Sequence, residues 1–165
     1  MATKKGIIVT VIILASITAA SFLVWLIPQN TLTNFVITDF GAHLDDVKEI
    51  HLAIQSAIDE DFQKLLDKEI SSKEYIDVAE ISSSQVNAQI MTLVESNAPS
   101  EWYDSYLNYI ESLKKFNLQI RETIVVASMI DEGKESTQIQ DSLDKIELLK
   151  MDSGKLAMAS DDARP

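Results

Sequence analysis

Two histidines and one aspartate are the residues in this sequence best suited to metal or acid–base chemistry. His43 and His51 lie eight residues apart and Asp46 follows His43 by three, so a helix would bring these side chains onto neighbouring turns. Imidazole and carboxylate are ordinary ligands for transition metals. A carboxylate-bridged dimetal bundle, however, needs Glu-x-x-His on two helices, and neither histidine follows a glutamate by three. We therefore predict surface histidines, no metal site and no cofactor, with a mononuclear site at His43 and Asp46 as the alternative.

Aromatic residues form the second cluster that could serve a chemical function. Trp102, Tyr106 and Tyr109 share one helical face and could line a pocket, whereas Tyr103 falls off that face. The same spacing continues into Leu113 and Phe116, so we predict core packing. Ser-His-Asp and glycine-rich phosphate motifs are missing, and there is no cysteine for a disulfide, a thiol nucleophile or a cysteine zinc site. The sequence therefore predicts a protein that is not an enzyme.

The charge of the chain excludes one class of partner. Beyond Ile27 the sequence has 26 acidic residues against 12 Lys plus Arg, a net formal charge of −14. Nucleic acid binding needs a basic face for the phosphate backbone, and none is present. We therefore predict no nucleic acid partner.

Helical periodicity dominates the sequence after residue 38. Four stripes of apolar residues with a period near 3.6 are separated by short breaks, so each helix must bury one face. We predict helices over residues 39–70, 71–97, 100–132 and 136–153, with Ser71, Ser100 and Ser136 as N-caps. Short connections make sequential helices antiparallel. The expected fold is all-α: an N-terminal transmembrane helix followed by an up-down-up-down four-helix bundle outside the membrane.

The segment that precedes the bundle is apolar from Gly6 to Ile27, 22 residues without a charge. As a helix it would span roughly 33 Å, enough to cross the hydrocarbon core of a bilayer. Lys4 and Lys5 predict a cytoplasmic N-terminus. The predicted organisation is a cytoplasmic N-terminus (1–5), a single-pass cell-membrane anchor (6–27), a linker (28–38), an extracytoplasmic helical bundle (39–153) and a polar tail (154–165).

Two other fates of the N-terminal segment stay open. Thr18, Ala19 and Ala20 could mimic the end of a cleavable signal, with processing after Ala20. Lys4, Lys5 and Gly6 resemble the processing site of type IV pilins, which are cut after the glycine. Bacterial pilins usually place a glutamate five residues after the cut, where this sequence has Val11. The pilin resemblance implies a filament subunit.

Two groups of residues are candidates for protein contact. Small residues at helical spacing let another membrane helix approach closely, and the anchor provides Ala15, Ser16, Ala19 and Ala20. The third predicted helix is apolar all round near its end, which is typical of a segment covered on more than one side. A partner protein could supply the second cover over Ile124, Val125, Val126 and Ile130; a crowded core is the alternative.

One family resemblance rests on the overall character of the chain. The lysine-flanked, Ile/Val-rich anchor, the acidic cysteine-free helical exterior and the phrase from Val94 to Pro99 resemble small uncharacterised single-pass membrane proteins of ammonia-oxidising archaea. The resemblance implies an extracytoplasmic role beside a membrane oxidase or an envelope assembly. We predict a structural or accessory subunit of a membrane or envelope complex, with a ligand-sensing module or a pilin-like subunit as alternatives.

Overall fold

The computed structural model describes residues 37–165 of the chain. These residues form four long helices and, within that range, no strands: α1 (Phe40–Leu66), α2 (Ser72–Glu95), α3 (Tyr103–Asp131) and α4 (Ser136–Asp162). Within this range no helix combines the length and apolar character that crossing a bilayer requires. The predicted anchor at 6–27 lies outside the described residues, as do Ala15, Ser16, Ala19 and Ala20.

Sequential helices run antiparallel, as the short connections predict. Ser105 near the start of α3 contacts Ser160 near the end of α4, while Tyr75 at the start of α2 bonds Thr123 late in α3. Helix α3 contacts all three other helices and packs most extensively against α4. The predicted helical bundle is therefore confirmed, with α3 as its most enclosed member.

Local chemistry explains where the helices begin. The Asp39 carboxylate accepts a 2.9 Å hydrogen bond from Ala42 N, and Ser71 Oγ accepts one of 3.2 Å from Glu74 N, so Ser71 is confirmed as an N-cap. The prediction that α3 is capped by Ser100 is wrong, because residues 99–102 form a turn and Tyr103 begins the helix. The prediction that Ser136 caps α4 is also wrong, by one residue. Glu135 is the N-cap and shares a capping box with Gln138.

Left-handed residues mark the three connections. Lys68, Asn97 and Gly133 have φ values of 62°, 51° and 68°. An α-helix cannot continue through this conformation, which is why α1 stops at Leu66 rather than at Ile70. Gly133 has no Cβ and adopts the conformation without strain.

The C-terminal residues differ from the sequence-based expectation. The predicted polar tail from residue 154 is helical to Asp162, and the bundle extends to the C-terminus of the described chain. Ser153 and Ser160 are buried there, because small side chains let α4 lie close to α3. The polar composition of these residues does not prevent them from packing against α3.

The core lies where the apolar stripes of the four helices meet. Its largest fully buried side chains include Tyr75, Tyr109 and Phe116. Ile50 follows Val47 by three residues and Val94 follows Ile90 by four, spacings that predict a place in the apolar stripes. Both residues are instead exposed, Ile50 by 50 % and Val94 by 55 %. In α1 the neighbouring residue His51, which is 5 % exposed, is buried in place of Ile50. In α2 both Leu93 and Val94 were expected in the stripe, and Leu93, which is 2 % exposed, is the one that is buried.

Candidate functional site

His43 joins the start of α1 to α3. Its Nδ1 lies 2.9 Å from the Tyr106 hydroxyl, and that hydroxyl donates to Phe40 O at 2.9 Å. Since a phenol has one proton to donate, Nδ1 of His43 must carry a proton and donate to the tyrosine oxygen. Burial lowers the pKa of His43, and the nearby Asp46 carboxylate partly opposes this shift. This arrangement fixes the tautomer of His43 and ties it to a structural role.

His51 makes a similar contact deeper in the bundle. Its Nδ1 lies 2.7 Å from the Tyr109 hydroxyl, and its ring centroid is 4.6 Å from that of Phe116. Its Nε2 is buried and finds no hydrogen-bond partner among the described residues. Burial lowers the pKa of His51 to about 4, so the ring is neutral near pH 7. The prediction of surface histidines is therefore wrong for His51.

The candidate metal ligands His43, His51 and Asp46 do not converge on one site. His43 and His51 each use Nδ1 on a tyrosine of α3, and the Asp46 side chain is exposed. In the part of the chain that the structure describes, no three His, Asp or Glu side chains form a group able to hold a metal ion. The two histidines instead attach α1 to α3.

The tyrosines complete these attachments. Tyr106 and Tyr109 are each 2 % exposed, which confirms the predicted core packing, and Tyr103 is exposed as expected. Burial raises the pKa of Tyr106 to about 12 and raises that of Tyr109 as well. Neither phenol is therefore ionised near pH 7, and both remain hydrogen-bonding groups of the core.

Ion pairs attach α1 to α4. Lys48 pairs with Asp161, and its Nζ also lies 5.1 Å from the centroid of the Tyr109 ring. Arg164 pairs with Asp45, and this guanidinium lowers the pKa of the Asp45 carboxyl. Such exposed pairs contribute little individually, about 0–1 kcal/mol each. They nevertheless fix the C-terminal end of α4 against the start of α1.

A row of serines joins α3 to α4. We call this row the serine seam, and it consists of Ser105, Ser112, Ser153 and Ser160. Ser112 Oγ donates to Ser153 O and Ser153 Oγ donates to Ser112 O, both at 2.9 Å. Ser105 Oγ donates to Ser160 O at 2.7 Å. All four residues are buried. Side chains of this size allow the two helices to approach closely, and the reciprocal bonds satisfy every hydroxyl proton of the Ser112–Ser153 pair.

Sequence reasoning missed the serine seam because the buried faces of the helices were traced through apolar residues alone. The available signal was the spacing: the serines lie seven residues apart on both helices, at 105 and 112 and at 153 and 160. A seven-residue spacing keeps positions on one face over two helical turns.

The predicted partner contact on α3 divides between the core and the surface. Val126 is fully buried, whereas Ile124 and Ile130 are half-buried against the core. Only Val125 of the four is exposed, by 42 %. The structure therefore places Val126 in the core, and a partner's contact with the exposed Val125 stays a prediction.

Val125 belongs to a surface depression of about 850 Å³ between α2, α3 and α4. Leu118, one heptad before Val125, is 49 % exposed in the same depression. The charged lining includes Arg121, Glu122 and Lys145, of which Glu122 and Lys145 form an ion pair at 2.6 Å. The depression therefore combines exposed aliphatic side chains with a polar rim, a composition found at protein–protein contacts.

No protein family model matches the sequence, and comparisons with curated proteins and with solved structures give no match either. Function is therefore inferred from the residues and their geometry.

Proposed function

We propose that this protein is a membrane-anchored accessory subunit whose helical bundle binds a protein partner on the outer side of the cytoplasmic membrane. The observation that carries the proposal is the contrast between the interior and the surface of the bundle. Its histidines and buried tyrosines join one helix to another, whereas large apolar side chains such as Leu118 and Val125 stand exposed on outer faces. Exposed apolar side chains suit contact with another protein, and the buried histidines and tyrosines of the described residues are engaged in joining helices.

The anchor and its orientation follow from the sequence. The uncharged segment from Gly6 to Ile27 is long enough to span a bilayer, and Lys4 with Lys5 favours a cytoplasmic N-terminus. A bundle with a net formal charge of −14 is repelled by anionic lipid, so a covalently attached apolar segment is the means of holding it at a membrane.

The anchor is tested by washing native membranes with carbonate. We expect the full chain to remain with the membrane and a chain lacking residues 1–27 to be released. Protease added to intact spheroplasts should digest the bundle. Release of the full chain by carbonate, or protection of the bundle from protease, would contradict the proposed location.

The accessory role is tested by native electrophoresis of membranes solubilised in a mild detergent. We expect the chain to migrate within a complex larger than itself, with a second protein identified by mass spectrometry. Migration as a monomer at every detergent concentration would contradict the role. Sequencing of the mature N-terminus distinguishes an intact anchor from cleavage after Gly6, which would favour the pilin-like alternative.

A further inference from the structure

A groove of about 640 Å³ runs between α1 and α2 and opens to solvent. Small side chains form much of its lining: Ala53 and Ala57 on α1, and Ser82 and Ala88 on α2. Helices α1 and α2 also contact one another less extensively than α3 contacts α4. The lining therefore leaves room for another backbone to approach both helices closely.

The α1 side of this groove is mainly apolar and exposed. Ile50 lines it and is 50 % exposed, although its spacing suggested a core position. Ala53 and Ala57, further along α1, continue this exposed apolar face. An amphipathic helix that lays its apolar face between two helices makes this kind of contact.

One buried polar atom in the groove lacks a partner. Gln89 lines the groove and is 8 % exposed, and its Oε1 accepts no hydrogen bond from the described residues. A buried acceptor without a donor costs about 1–3 kcal/mol. A partner side chain with an N–H or O–H group would remove that penalty on docking.

Charges beside the groove are acidic. Asp46 and Glu49 precede Ile50 on α1, and α2 has no Lys or Arg between Glu74 and Glu95. Lys48 lies on another side of α1, paired with Asp161 of α4. Lys64 lies at the far end of α1 and pairs with Glu60 and Asp61. An occupant with basic residues beside its apolar face would therefore complement the groove, and an acidic one would be repelled.

We propose that the groove between α1 and α2 is the docking site for an amphipathic helix of the partner protein, with Lys or Arg flanking its apolar face and a hydrogen-bond donor facing Gln89. This assignment rests on the proposed accessory role and adds the site and the chemistry of the partner.

The test places a photo-crosslinking amino acid at Ile50 in the full chain within native membranes. Mass spectrometry should identify a crosslinked segment with a helical apolar stripe flanked by Lys or Arg. Leu148 of α4, which is 53 % exposed, provides the matched control position and should not capture this segment. Crosslinking to a second copy, to residues 1–36 of the same chain or to an acidic segment would overturn the proposal.

Two variants connect the crosslink to the shape and charge of the groove. Ala53→Leu combined with Ala88→Leu fills the groove, and Glu49→Lys reverses a charge beside it without filling it. Each should reduce the crosslink by about tenfold, as expected for loss of a central interface contact. Ala42→Leu and Glu147→Lys make the same chemical changes at exposed sites outside the groove lining and should leave the yield unchanged.

The same variants separate this proposal from the accessory role. A complex that persists in the groove-filled variant, while circular dichroism shows a native helical content, would overturn the docking site and leave the accessory role standing. Absence of any complex in the unmodified chain would instead contradict the accessory role itself.

Discussion

Burial gives His51 a structural role in the core and makes its pKa depend on whether the protein is folded. Its ring lies between α1 and α3, with Nε2 enclosed and Nδ1 on the Tyr109 hydroxyl. The folded protein holds its pKa at about 4, against about 6.5 in an unfolded chain. The unfolded chain therefore binds a proton more readily than the folded one across this interval.

Acidification from pH 7 to pH 4 should destabilise the bundle through His51. Above pH 6.5 His51 is neutral in both states, and its protonation does not reduce the free energy of unfolding. As the pH falls from 6.5 towards 4, the unfolded state takes up a proton that the folded state does not, and the free energy of unfolding decreases. The lost free energy of unfolding should reach about 3 kcal/mol. Urea denaturation at a series of pH values measures it, and NMR titration of the imidazole gives the pKa directly.

His51→Gln provides the control for this titration, since it keeps a polar side chain but removes the ionisable ring. Between pH 4 and 6.5 its unfolding free energy should vary less with pH than that of the unmodified chain. An equal pH dependence in both proteins would assign the acid sensitivity to carboxylates instead.

Ser112 should tolerate a smaller side chain better than a larger one. Ser112→Ala removes one hydrogen bond and should lower the free energy of unfolding by about 1 kcal/mol. Ser112→Leu inserts bulk into the buried contact between α3 and α4 and should lower the free energy of unfolding by about 3 kcal/mol or more. Thermal and urea denaturation measure both, and Ser84→Leu at an exposed site of α2 is the control. Equal effects of Ala and Leu at Ser112 would argue against close packing at the seam.

At the scale of helices, glycine affects stability in opposite directions at two positions. Gly154 lies within α4, and a Cβ there would meet no heavy atom within 4 Å. Gly133 lies in the α3–α4 connection with a φ of 68°. The same substitution should therefore have opposite effects on stability at the two sites.

Gly154→Ala should raise the free energy of unfolding by about 0.5–1 kcal/mol, because alanine loses less conformational entropy in a helix. Thermal denaturation measures the shift. No change in stability would indicate that residues after Ser153 are not helical, as the sequence alone suggested.

Gly133→Ala should lower the free energy of unfolding by about 1 kcal/mol, because a Cβ is strained in the left-handed conformation. The measurement is the same. A stabilising effect at this position would contradict the geometry of the connection.

The four helices could be predicted because each buries an apolar stripe and because Ser71 and Gly133 mark breaks. Other features depend on tertiary contacts that periodicity does not encode. Helix α4 is buried partly through Ser153 and Ser160, which look solvent-facing unless α3 is known to lie against them. His51 is buried and Ile50 is exposed because α3 lies against the His51 side of α1, a contact that the sequence of α1 does not reveal. The groove between α1 and α2 likewise arises from how two helices meet.

At the scale of the whole molecule, excess negative charge opposes folding. Residues 37–165 contain all 26 acidic residues against 12 Lys plus Arg. Several exposed ion pairs offset this repulsion locally, but each contributes about 0–1 kcal/mol. The remaining repulsion acts over the entire bundle.

Added salt should therefore stabilise the protein. Raising NaCl from about 0.05 M to about 0.5 M shortens the screening length from roughly 14 Å to roughly 4 Å and weakens the general repulsion. We expect a higher midpoint of thermal unfolding by circular dichroism. A lower midpoint would mean that specific ion pairs, such as those of Lys48 and Arg164, outweigh the net charge.

The serine seam also determines how the bundle would respond to a mechanical load. Reciprocal hydroxyl–carbonyl bonds and the most extensive helix contact of the bundle join α3 and α4. Helix α1 contacts its neighbours less extensively: its apolar stripe lies in the core, and His43, His51 and its ion pairs add polar contacts at separate points. A force applied at Ile37 would break those points one after another, starting with the Phe40 and His43 end. Under load α1 would therefore separate from the bundle first, while α3 and α4 remained packed together.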